Sequence, residues 1–389
     1  MGCAGKAPAW RLFVSFLRLG VTAFGGPAMV AYIRDMAVKK KGWVSEESFG
    51  AGAALCQSIP GATSMQTAAY VGLRAGGPVG ALAGFVGFGL PAFALMVALS
   101  AAYQAGHDLR LVLAGFRGLH VIVIAIIADA ALKFWRSSVK NWRDGLLAAL
   151  AAAFLVFHGS PVSAILGSVV VSLLLYHGQD LPWQPASETG GQGKLGVLRW
   201  AAGAALIVAA GLACLYAWNR RLLELGLVML KVDVFAFGGG FASVPLMLHE
   251  VVNVRHWLDS RTFMDGIALG QVTPGPIVIT AAFVGYQIAG VFGAVVGTIA
   301  IFTPSFLMVL IFVPYFDRLQ HARLFRRSLR GVLASFVGLL AAAAIHFGLA
   351  VSWSIPAGVI AAAALAALRL KVDILWVVLA GAALSAVVL

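Results

Sequence analysis

The sequence predicts an all-α polytopic membrane protein: two inverted-topology repeats of about six segments each, joined by a linker helix, with helices broken at glycine and proline. Three observations predict it: an apolar composition, an internal repeat, and opposite basic charge in equivalent loops of the two copies. Of the 389 residues, 61% are hydrophobic and 11% are charged, whereas soluble proteins carry about 25% charged residues. An ordinary soluble domain is therefore excluded.

The apolar segments define the membrane helices. A helix needs roughly 20 mostly apolar residues to cross the hydrocarbon core. Thirteen segments meet or approach this length: 10–33, 50–73, 77–103, 111–132, 142–157, 161–177, 196–218, 222–248, 263–287, 290–316, 329–350, 354–369 and 373–389. The fifth and the last two are short, and the first two of each half contain glycine or proline breaks. Re-entrant hairpins are the alternative to crossings there.

The chain contains two copies of one unit. A shift of 213 residues superposes Arg18 on Lys231 and Phe24–Gly26 on Phe237–Gly239, and a shift of 214 superposes two Pro-Gly pairs. We assign 11–177 to the first repeat, 178–221 to a polar linker with one connecting membrane helix, and 222–389 to the second repeat. Self-similarity of this extent indicates duplication rather than chance.

Counting crossings predicts that the copies are inverted. Six segments plus the linker helix make seven, so the second copy enters the membrane from the opposite side. Equivalent loops of inverted copies should carry opposite basic loads. The loop 133–143 has four Lys or Arg, and its counterpart 350–354 has none. With a cytoplasmic amino terminus, sixteen basic loop residues lie inside and seven outside, while five others lie within segments.

Composition and motifs exclude several other classes. The 28 basic and 15 acidic residues give a net charge of +13, but the basic residues are scattered between apolar segments, so no nucleic-acid partner is expected. Cys3, Cys56 and Cys214 lie too far apart in the sequence to suggest a disulfide framework or a zinc site. No P-loop, HExxH motif or catalytic triad occurs. We therefore expect no enzyme activity, catalytic residue, metal or cofactor.

The glycine and proline breaks are the predicted substrate site. Inverted repeats with discontinuous helices are typical of secondary transporters, which bind substrate near the membrane midplane. A broken helix exposes backbone N–H groups that attract an anion. The candidate binding residues at the breaks are Gly25, Gly26, Pro60, Gly61, Gly238, Gly239, Pro274 and Gly275. The alternative is that these breaks are packing kinks.

Two buried cations are candidates for holding an anion. Arg18 and Lys231 occupy equivalent positions, six residues before the Phe-Gly-Gly break of each copy. A fixed charge inside the membrane costs about 2.5–3.5 kcal/mol on insertion scales and usually has a function. The alternatives are snorkelling for either residue, or pairing of Lys231 with Asp233 or Glu224. Arg117 and Arg330 also match, but they lie near segment ends, where snorkelling is expected.

Neutral donors flank the breaks. An oxyanion that must be bound and released needs many hydrogen bonds and little excess charge. The candidates are Gln57, Gln271, Ser64, Thr67 and Thr280. The alternative for the hydroxyls is bonding to a carbonyl of their own helix. The four-residue spacing of Gly76, Gly80 and Gly84, mirrored by Ala289, Gly293 and Gly297, predicts a close helix-packing face instead.

These motifs resemble the chromate ion transporter (CHR) family of bacterial and archaeal inner-membrane proteins, in its long form with two homologous halves. The resemblance covers nearly the whole chain. It rests on the runs Phe16–Pro27, Trp43–Phe49, Ala268–Pro276, Ala282–Tyr286 and Ile301–Phe306. It implies export of chromate, with sulfate as a similar tetrahedral dianion that competes or exchanges, and chromate resistance as the physiological result.

One departure from the family keeps another substrate open. Many members read Pro-Gly-Pro-Asn-Ser-Thr in the first copy, whereas this chain reads Pro-Gly-Ala-Thr-Ser-Met at 60–65. A transporter of sulfate or a small carboxylate with the same fold is the alternative. A membrane enzyme acting on lipid or quinone would need a catalytic cluster that the sequence lacks.

The expected mechanism is alternating access by rocking one copy against the other in the lipid bilayer of the inner (plasma) membrane. Outward movement of a dianion down about 100 mV releases about 4.6 kcal/mol, so a coupled ion is optional. Asp129 and Asp233 are the carboxylates well within segments, and a proton relay through them is a further hypothesis. A homodimer is a candidate assembly that the sequence does not distinguish from a monomer.

Overall fold

A computed structural model of the chain describes residues 7–23, 28–106, 110–157, 159–178, 194–316 and 322–388. These residues are predominantly helical and contain no strand. The helices are α1 Ala9–Thr22, α2 Ala28–Arg34, α3 Glu46–Ser58, α4 Thr63–Gly106, α5 Arg110–Ser138, α6 Trp142–Val156, α7 Pro161–Leu175, α8 Lys194–Trp218, α9 Arg220–Phe235, α10 Ser243–Met247, α11 Ser260–Val272, α12 Thr280–Phe312, α13 Arg323–Ala350, α14 Ile355–Arg369 and α15 Ile374–Val388. Wide π-helical turns extend α2 over Asp35–Lys40 and α10 over Leu248–Val254.

Five of the described helices are long and apolar enough to cross a membrane. They comprise α4, the part of α5 from Gly118, α8 from Leu195, the stretch Ile277–Tyr315 that contains α12, and α13. Shorter apolar helices are α7, α14 and the part of α15 up to Ser385. The all-α membrane fold predicted from composition is thus confirmed.

The first two segments of each repeat fold back on themselves. In the first copy, the Tyr70 hydroxyl donates to the carbonyl of Ser48 at 2.9 Å, and the rings of Phe16 and Trp43 stack at 6.4 Å. Continuous helices would separate these pairs by about 33 and 40 Å at 1.5 Å per residue. We name the folded-back units hairpin 1A (residues 9–40) and hairpin 1B (residues 46–76).

The second copy has the same two hairpins. Lys231 Nζ lies 2.6 Å from Glu250 Oε1, and a Cβ on Gly270 would lie 2.9 Å from the Thr280 hydroxyl. These contacts define hairpin 2A (residues 220–254) and hairpin 2B (residues 260–288). Of the two alternatives that the sequence left open for these segments, the fold-back favours re-entrant hairpins over crossings. Their arms of about 14 residues reach only about 20 Å, less than the hydrocarbon thickness of about 30 Å.

A second reversal follows hairpins 1B and 2B. Gly77 has φ 71° and Gly290 has φ 59°, so α4 and α12 each turn back there. A Cβ on Gly72 would collide with the carbonyl of Gly80, and one on Gly285 with that of Gly293. The small-residue stripe is thus confirmed as a close packing face. Residues 78–106 then run about 44 Å, which is enough to cross the membrane.

Backbone details repeat between the copies. Gly61 and Gly275 have φ of 120° and 127°, and Gly42 (φ 61°) is matched by His256 (φ 53°). The N–H of Lys41 donates to Met36 O at 3.0 Å, and that of Arg255 donates to Glu250 O at 3.2 Å. Met36 and Glu250 therefore occupy equivalent positions.

Contacts between the copies support their predicted inversion. The Ala7 N–H donates to Ala75 O, so hairpins 1A and 1B open on one membrane face, and α4 ends on the other. At that end, Tyr103 donates to Asp265 of hairpin 2B at 2.8 Å, and Gln104 bonds Gln287. Hairpin 2B thus opens on the opposite face. Re-entry of two segments leaves five crossings before the second copy instead of seven. Because five is also odd, the second copy still enters the membrane from the opposite side.

The last three helices of each repeat interlock with those of the other. Helix α5 packs on α14 and α15, and α13 packs on α6 and α7. The Ser172 hydroxyl donates to Arg327 O at 2.7 Å, and Gly118 lies against Ser385. We call these six helices (α5–α7 and α13–α15) the scaffold. The four hairpins with residues 78–106 and 291–312 form the hairpin bundle.

Candidate substrate site

Described residues at or next to the hairpin tips of both repeats contact one another. The N–H of Gly61, at the tip of hairpin 1B, donates to Ala236 O of hairpin 2A at 2.9 Å. The N–H of Gly275, at the tip of hairpin 2B, donates to Ala23 O of hairpin 1A at 3.1 Å. These are equivalent bonds in the two copies. The reciprocal pair therefore defines a local two-fold relation between the two repeats.

Glycine is required where the tips touch. Gly61 and Gly275 adopt φ values that favour glycine. A Cβ on Gly61 would collide with the Ser305 hydroxyl, and one on Gly275 would lie 2.7 Å from Ala92 Cβ. The prolines before them, Pro60 and Pro274, are buried. The Pro-Gly pairs thus end one helix and allow close approach of the opposite repeat.

Helix N-termini converge on the tips. The second arm of each hairpin begins there: α4 at Thr63, α2 at Ala28, the helical turn Gly240–Ala242 before α10, and the turn Ile277–Ile279 before α12. The N–H groups of a first helical turn have no partner within the helix, and the helix dipole is positive at this end. The arrangement can therefore bind an anion.

The predicted hydroxyl groups lie close to the tips, and those of both threonines already donate hydrogen bonds to backbone carbonyls. Thr67 donates to Thr63 O at 2.7 Å, and Thr280 donates to Ile277 O at 2.8 Å. Ser64 is buried at the start of α4. In this conformation the two threonines therefore tie down the first turn, which is the alternative that the sequence left open.

The glutamines differ more than the sequence suggests. Gln57 is exposed on α3, while Gln271 has a buried Nε2 without a hydrogen-bond partner in the described chain. Gln66, which is not among the candidates above, is fully buried. It donates to Pro60 O at 2.5 Å and so holds the tip of hairpin 1B. Its position three residues after Thr63, in the first turn of α4, was the available signal.

The glycines before the A-hairpin tips divide into described and undescribed positions. Gly25 and Gly26 lie outside the described residues. Gly238 and Gly239 have φ of 91° and 95°, and a Cβ on Gly239 would lie 3.1 Å from the Thr63 hydroxyl. This places the tip of hairpin 2A directly beside the N-terminus of α4.

Arg18 and Lys231 have different surroundings. Arg18 is exposed on α1, about 8 Å before the tip, and no described residue bonds its side chain. Lys231 binds Glu250, which is buried and also accepts from Arg255. The suggested partners Asp233 and Glu224 are therefore wrong. Glu250 is recognisable only after the chain folds back, because nineteen residues separate it from Lys231.

Arg330 is fixed by an ion pair rather than by snorkelling. Its Nε and Nη2 atoms each lie 2.9 Å from an oxygen of the buried Asp144. Tyr176 donates to the same carboxylate at 2.6 Å. This network joins the repeats within the scaffold, and the snorkelling expectation for Arg330 is wrong. The side chain of Arg117, its counterpart, lies outside the described residues.

A polar bridge near the tips has no counterpart in the first repeat. Asp233 Oδ2 accepts from both the N–H and the hydroxyl of Ser305, each at 2.7 Å. The Ser305 hydroxyl also accepts from Ala62 N–H at 2.8 Å. The equivalent residues are Gly20 and Ala92. Comparing the two copies at these positions would have revealed the bridge.

Asp129, the other carboxylate considered for a relay, is paired. It is buried and lies 2.6 Å from Lys133 Nζ and 3.5 Å from Arg369 Nε. It joins α5 to α14 within the scaffold. Across the described ranges, no group of three or more His, Cys, Asp or Glu side chains is placed to hold a metal ion.

Both repeats match one family of known proteins. The chromate transporter family model matches residues 10–173 and again 223–386. This chain belongs to the chromate transporter family. Within it, the chain is 42% identical to an uncharacterized transporter of Methanocaldococcus jannaschii, over 98% of this chain and 94% of the relative.

Two relatives carry a functional name. The family member from Cupriavidus metallidurans, a chromate transport protein, is 34% identical over 88% of this chain and 84% of its own length. A chromate transport protein of Pseudomonas aeruginosa is 30% identical over 89% and 82%. No solved structure matches the chain.

Proposed function

We propose that this membrane transporter exports chromate from the cytoplasm, by alternating access to a site where the four hairpin tips meet, and thereby confers chromate resistance. The reciprocal bonds from Gly61 to Ala236 and from Gly275 to Ala23 carry the proposal. They bring the N-termini of second arms from both repeats to one point. The names of the relatives supply chromate as the substrate, and sulfate is proposed as a competitor or exchange ion.

The proposed site has a modest positive charge, which suits a dianion that must be bound and then released. Backbone N–H groups at the helix N-termini provide partial charges. Arg18 adds one full positive charge. On the other repeat, Lys231 and Arg255 share Glu250, so that cluster also has a net charge of one. Exposed Arg18 is proposed to face water leading to the tips, because charged groups at membrane depth face cavities rather than lipid.

The re-entrant hairpins strengthen the proposed orientation. They return residues 34–45 to the side of the amino terminus and move Arg255 and Arg261 to the other side. The loop count then changes from sixteen against seven to eighteen against five. The positive-inside rule therefore supports an inner-membrane protein with a cytoplasmic amino terminus more strongly than the sequence alone did.

Outward transport of a dianion is favoured by the membrane potential. About 100 mV, inside negative, supplies about 2.3 kcal/mol per charge, or about 4.6 kcal/mol for two charges. Export thus needs no further energy source, whereas uptake of the same dianion would.

The interlocked repeats suggest which parts move. Rocking one repeat against the other would break the tip bonds and separate α5 from α14 and α15. Motion of the hairpin bundle relative to the scaffold would preserve both sets of contacts. We therefore propose that the moving boundary runs between hairpin bundle and scaffold, each of which contains parts of both repeats. Cross-linking α5 to α11, which pack together, should stop transport without affecting expression.

Transport into inverted membrane vesicles tests the function. Labelled chromate should accumulate in vesicles containing the protein and not in vesicles without it, and excess sulfate should reduce the rate. Accumulation of sulfate or a small carboxylate without chromate would favour the alternative substrate, to which the altered sequence at 60–65 already points. Absence of transport of all these anions by a correctly folded protein would refute the proposal.

A further inference from the structure

Asp233 is a buried carboxyl with one unused oxygen. It lies in α9, fully buried, three residues before the tip of hairpin 2A. Its Oδ2 accepts two hydrogen bonds from Ser305. Its Oδ1 has no hydrogen-bond partner among the described residues. Buried polar atoms are rarely left in this state, so the unused oxygen requires an explanation.

Among the described residues, no cation pairs with this carboxyl. The elements packed on α9 are α8, α10 and α12. Their described titratable side chains, with those that follow α10 and those on α9 itself, are Arg199, Cys214, Tyr216, Tyr286, His249, Glu250, Arg255, Arg220, Arg221, Glu224 and Lys231. None forms an ion pair with Asp233, and the nearest in sequence, Lys231, is bound to Glu250. The described residues at the neighbouring tips, Ala23 and 59–62, include no titratable side chain.

An ionised carboxylate in such a place is far less favourable than a neutral carboxyl. Burial without a cation penalises the charged form heavily. Since Oδ2 already accepts two hydrogen bonds, the position left for a proton is Oδ1. Burial, and the absence of a cation partner among the described residues, therefore favour the neutral carboxyl over the carboxylate.

The carboxyl is connected to the proposed anion site. The Ser305 hydroxyl donates to Asp233 and accepts from Ala62 N–H at 2.8 Å, directly before the N-terminus of α4. An ionised Asp233 would repel an anion held there, whereas the protonated form would not. The first repeat has Gly20 and Ala92 at these positions, so the device occurs once per chain.

We propose that Asp233 is a proton-binding site that must be occupied before the dianion binds, so that one proton accompanies each anion. The inference rests on the proposed transport function. The step is proton binding to a carboxylate on one face and release on the other. The transported complex carries one net negative charge, which the inside-negative potential still drives outward. A structural role is the alternative, because Asp233 accepts the N–H of Ser305 next to Pro304.

Proteoliposomes containing the purified protein test the proton site. With the potential clamped at zero and at pH values above those at which chromate itself protonates, a tenfold proton gradient should drive about tenfold chromate accumulation, by linkage of the two binding steps. A pH-sensitive dye should report proton movement with the anion. Asp233→Asn should abolish both effects while exchange of chromate between equal pools continues. Asp129→Asn, in the scaffold, should retain the coupling.

Each remaining outcome decides the matter. Chromate flux without proton movement in the native protein would overturn the proton site and leave the transport function intact. Retained coupling in Asp233→Asn would also overturn it. If Asp233→Asn fails to fold, the double variant Asp233→Gly with Ser305→Ala, which copies the first repeat, takes its place with the same expectation. Loss of rate with unchanged coupling would indicate the structural role. Absence of any flux in the native protein would refute the transport function first, and the inference with it.

Discussion

Around the meeting point of the tips, the first repeat has Arg18 and Gly20 where the second has Lys231 and Asp233. The backbones correspond closely, including the φ values at Gly61 and Gly275. The first repeat presents Arg18, which pairs with no described residue, and small side chains. The second presents paired charges and a buried carboxyl. Under the proposed function, the duplication has kept the backbone of the site and divided its electrostatic tasks, with anion attraction expected in one copy and charge compensation in the other.

The shared backbone should be the feature least tolerant of change. Gly61→Ala and Gly275→Ala should each reduce transport by about thirtyfold or more, because backbone strain and overlap together cost about 2–5 kcal/mol. Transport into vesicles, normalised to the amount of folded protein, measures this. Gly42→Ala is the matched control, since Gly42 also has positive φ but open space around a Cβ.

Equal losses at Gly61 and Gly275 would confirm that both copies contribute a tip to one site. A loss at Gly42 as large as at Gly61 would show that strain alone, and not contact between the tips, causes the effect.

The scaffold offers the next contrast. Arg330→Ala should lower the free energy of unfolding by about 3–5 kcal/mol, because it leaves the buried carboxylate of Asp144 without its cation. Arg117 is the sequence equivalent of Arg330, and Ala357 is the sequence equivalent of Asp144. Because alanine has no charge to pair, Arg117→Ala should lower the free energy of unfolding much less. Thermal unfolding of purified protein in detergent measures both. Equal destabilisation would mean that Arg117 has an equally important partner.

Removing the two cations near the tips should have different effects, on transport for Arg18 and on stability for Lys231. Arg18→Ala should reduce transport by about 10- to 100-fold, because a hydrogen bond to a charged group contributes about 1.5–3 kcal/mol. Its stability should be unchanged, since no described residue bonds its side chain. Lys231→Ala should mainly lower stability, by about 1 kcal/mol, because Glu250 loses one partner and retains Arg255.

Parallel measurements of chromate transport and thermal unfolding separate the two cations. Arg18→Lys is the matched variant, and it should retain part of the activity because it keeps the charge. Loss of stability in Arg18→Ala, or loss of transport with native stability in Lys231→Ala, would reverse the division of tasks between the repeats.

The internal repeat made the architecture predictable. The matched breaks in the sequence correctly predict that Gly61 and Gly275 lie where the hairpins contact each other, and the number of crossings predicts the inversion. Hydrophobicity does not distinguish a crossing helix from a hairpin, because an apolar hairpin arm of about 14 residues has the same composition as half of a broken crossing helix. The partners of Lys231 and Arg330 were missed for the same reason, since Glu250 and Asp144 become neighbours only through fold-back and interlocking of the repeats. Those contacts depend on tertiary structure, which residue type and spacing do not encode locally.

The threonines at the tips should show the smallest effect, equal in both copies. Thr67 and Thr280 both donate to carbonyls in their own first turns, so neither has a free proton for an anion. Thr67→Val and Thr280→Val should each reduce transport by less than about fivefold, as loss of one hydrogen bond costs about 0.5–1.5 kcal/mol. Ser64→Ala is the comparison within hairpin 1B. A loss of a hundredfold in either valine variant would mean that the hydroxyl leaves its carbonyl when substrate binds, and the tips would then bind the anion through side chains as well as backbone.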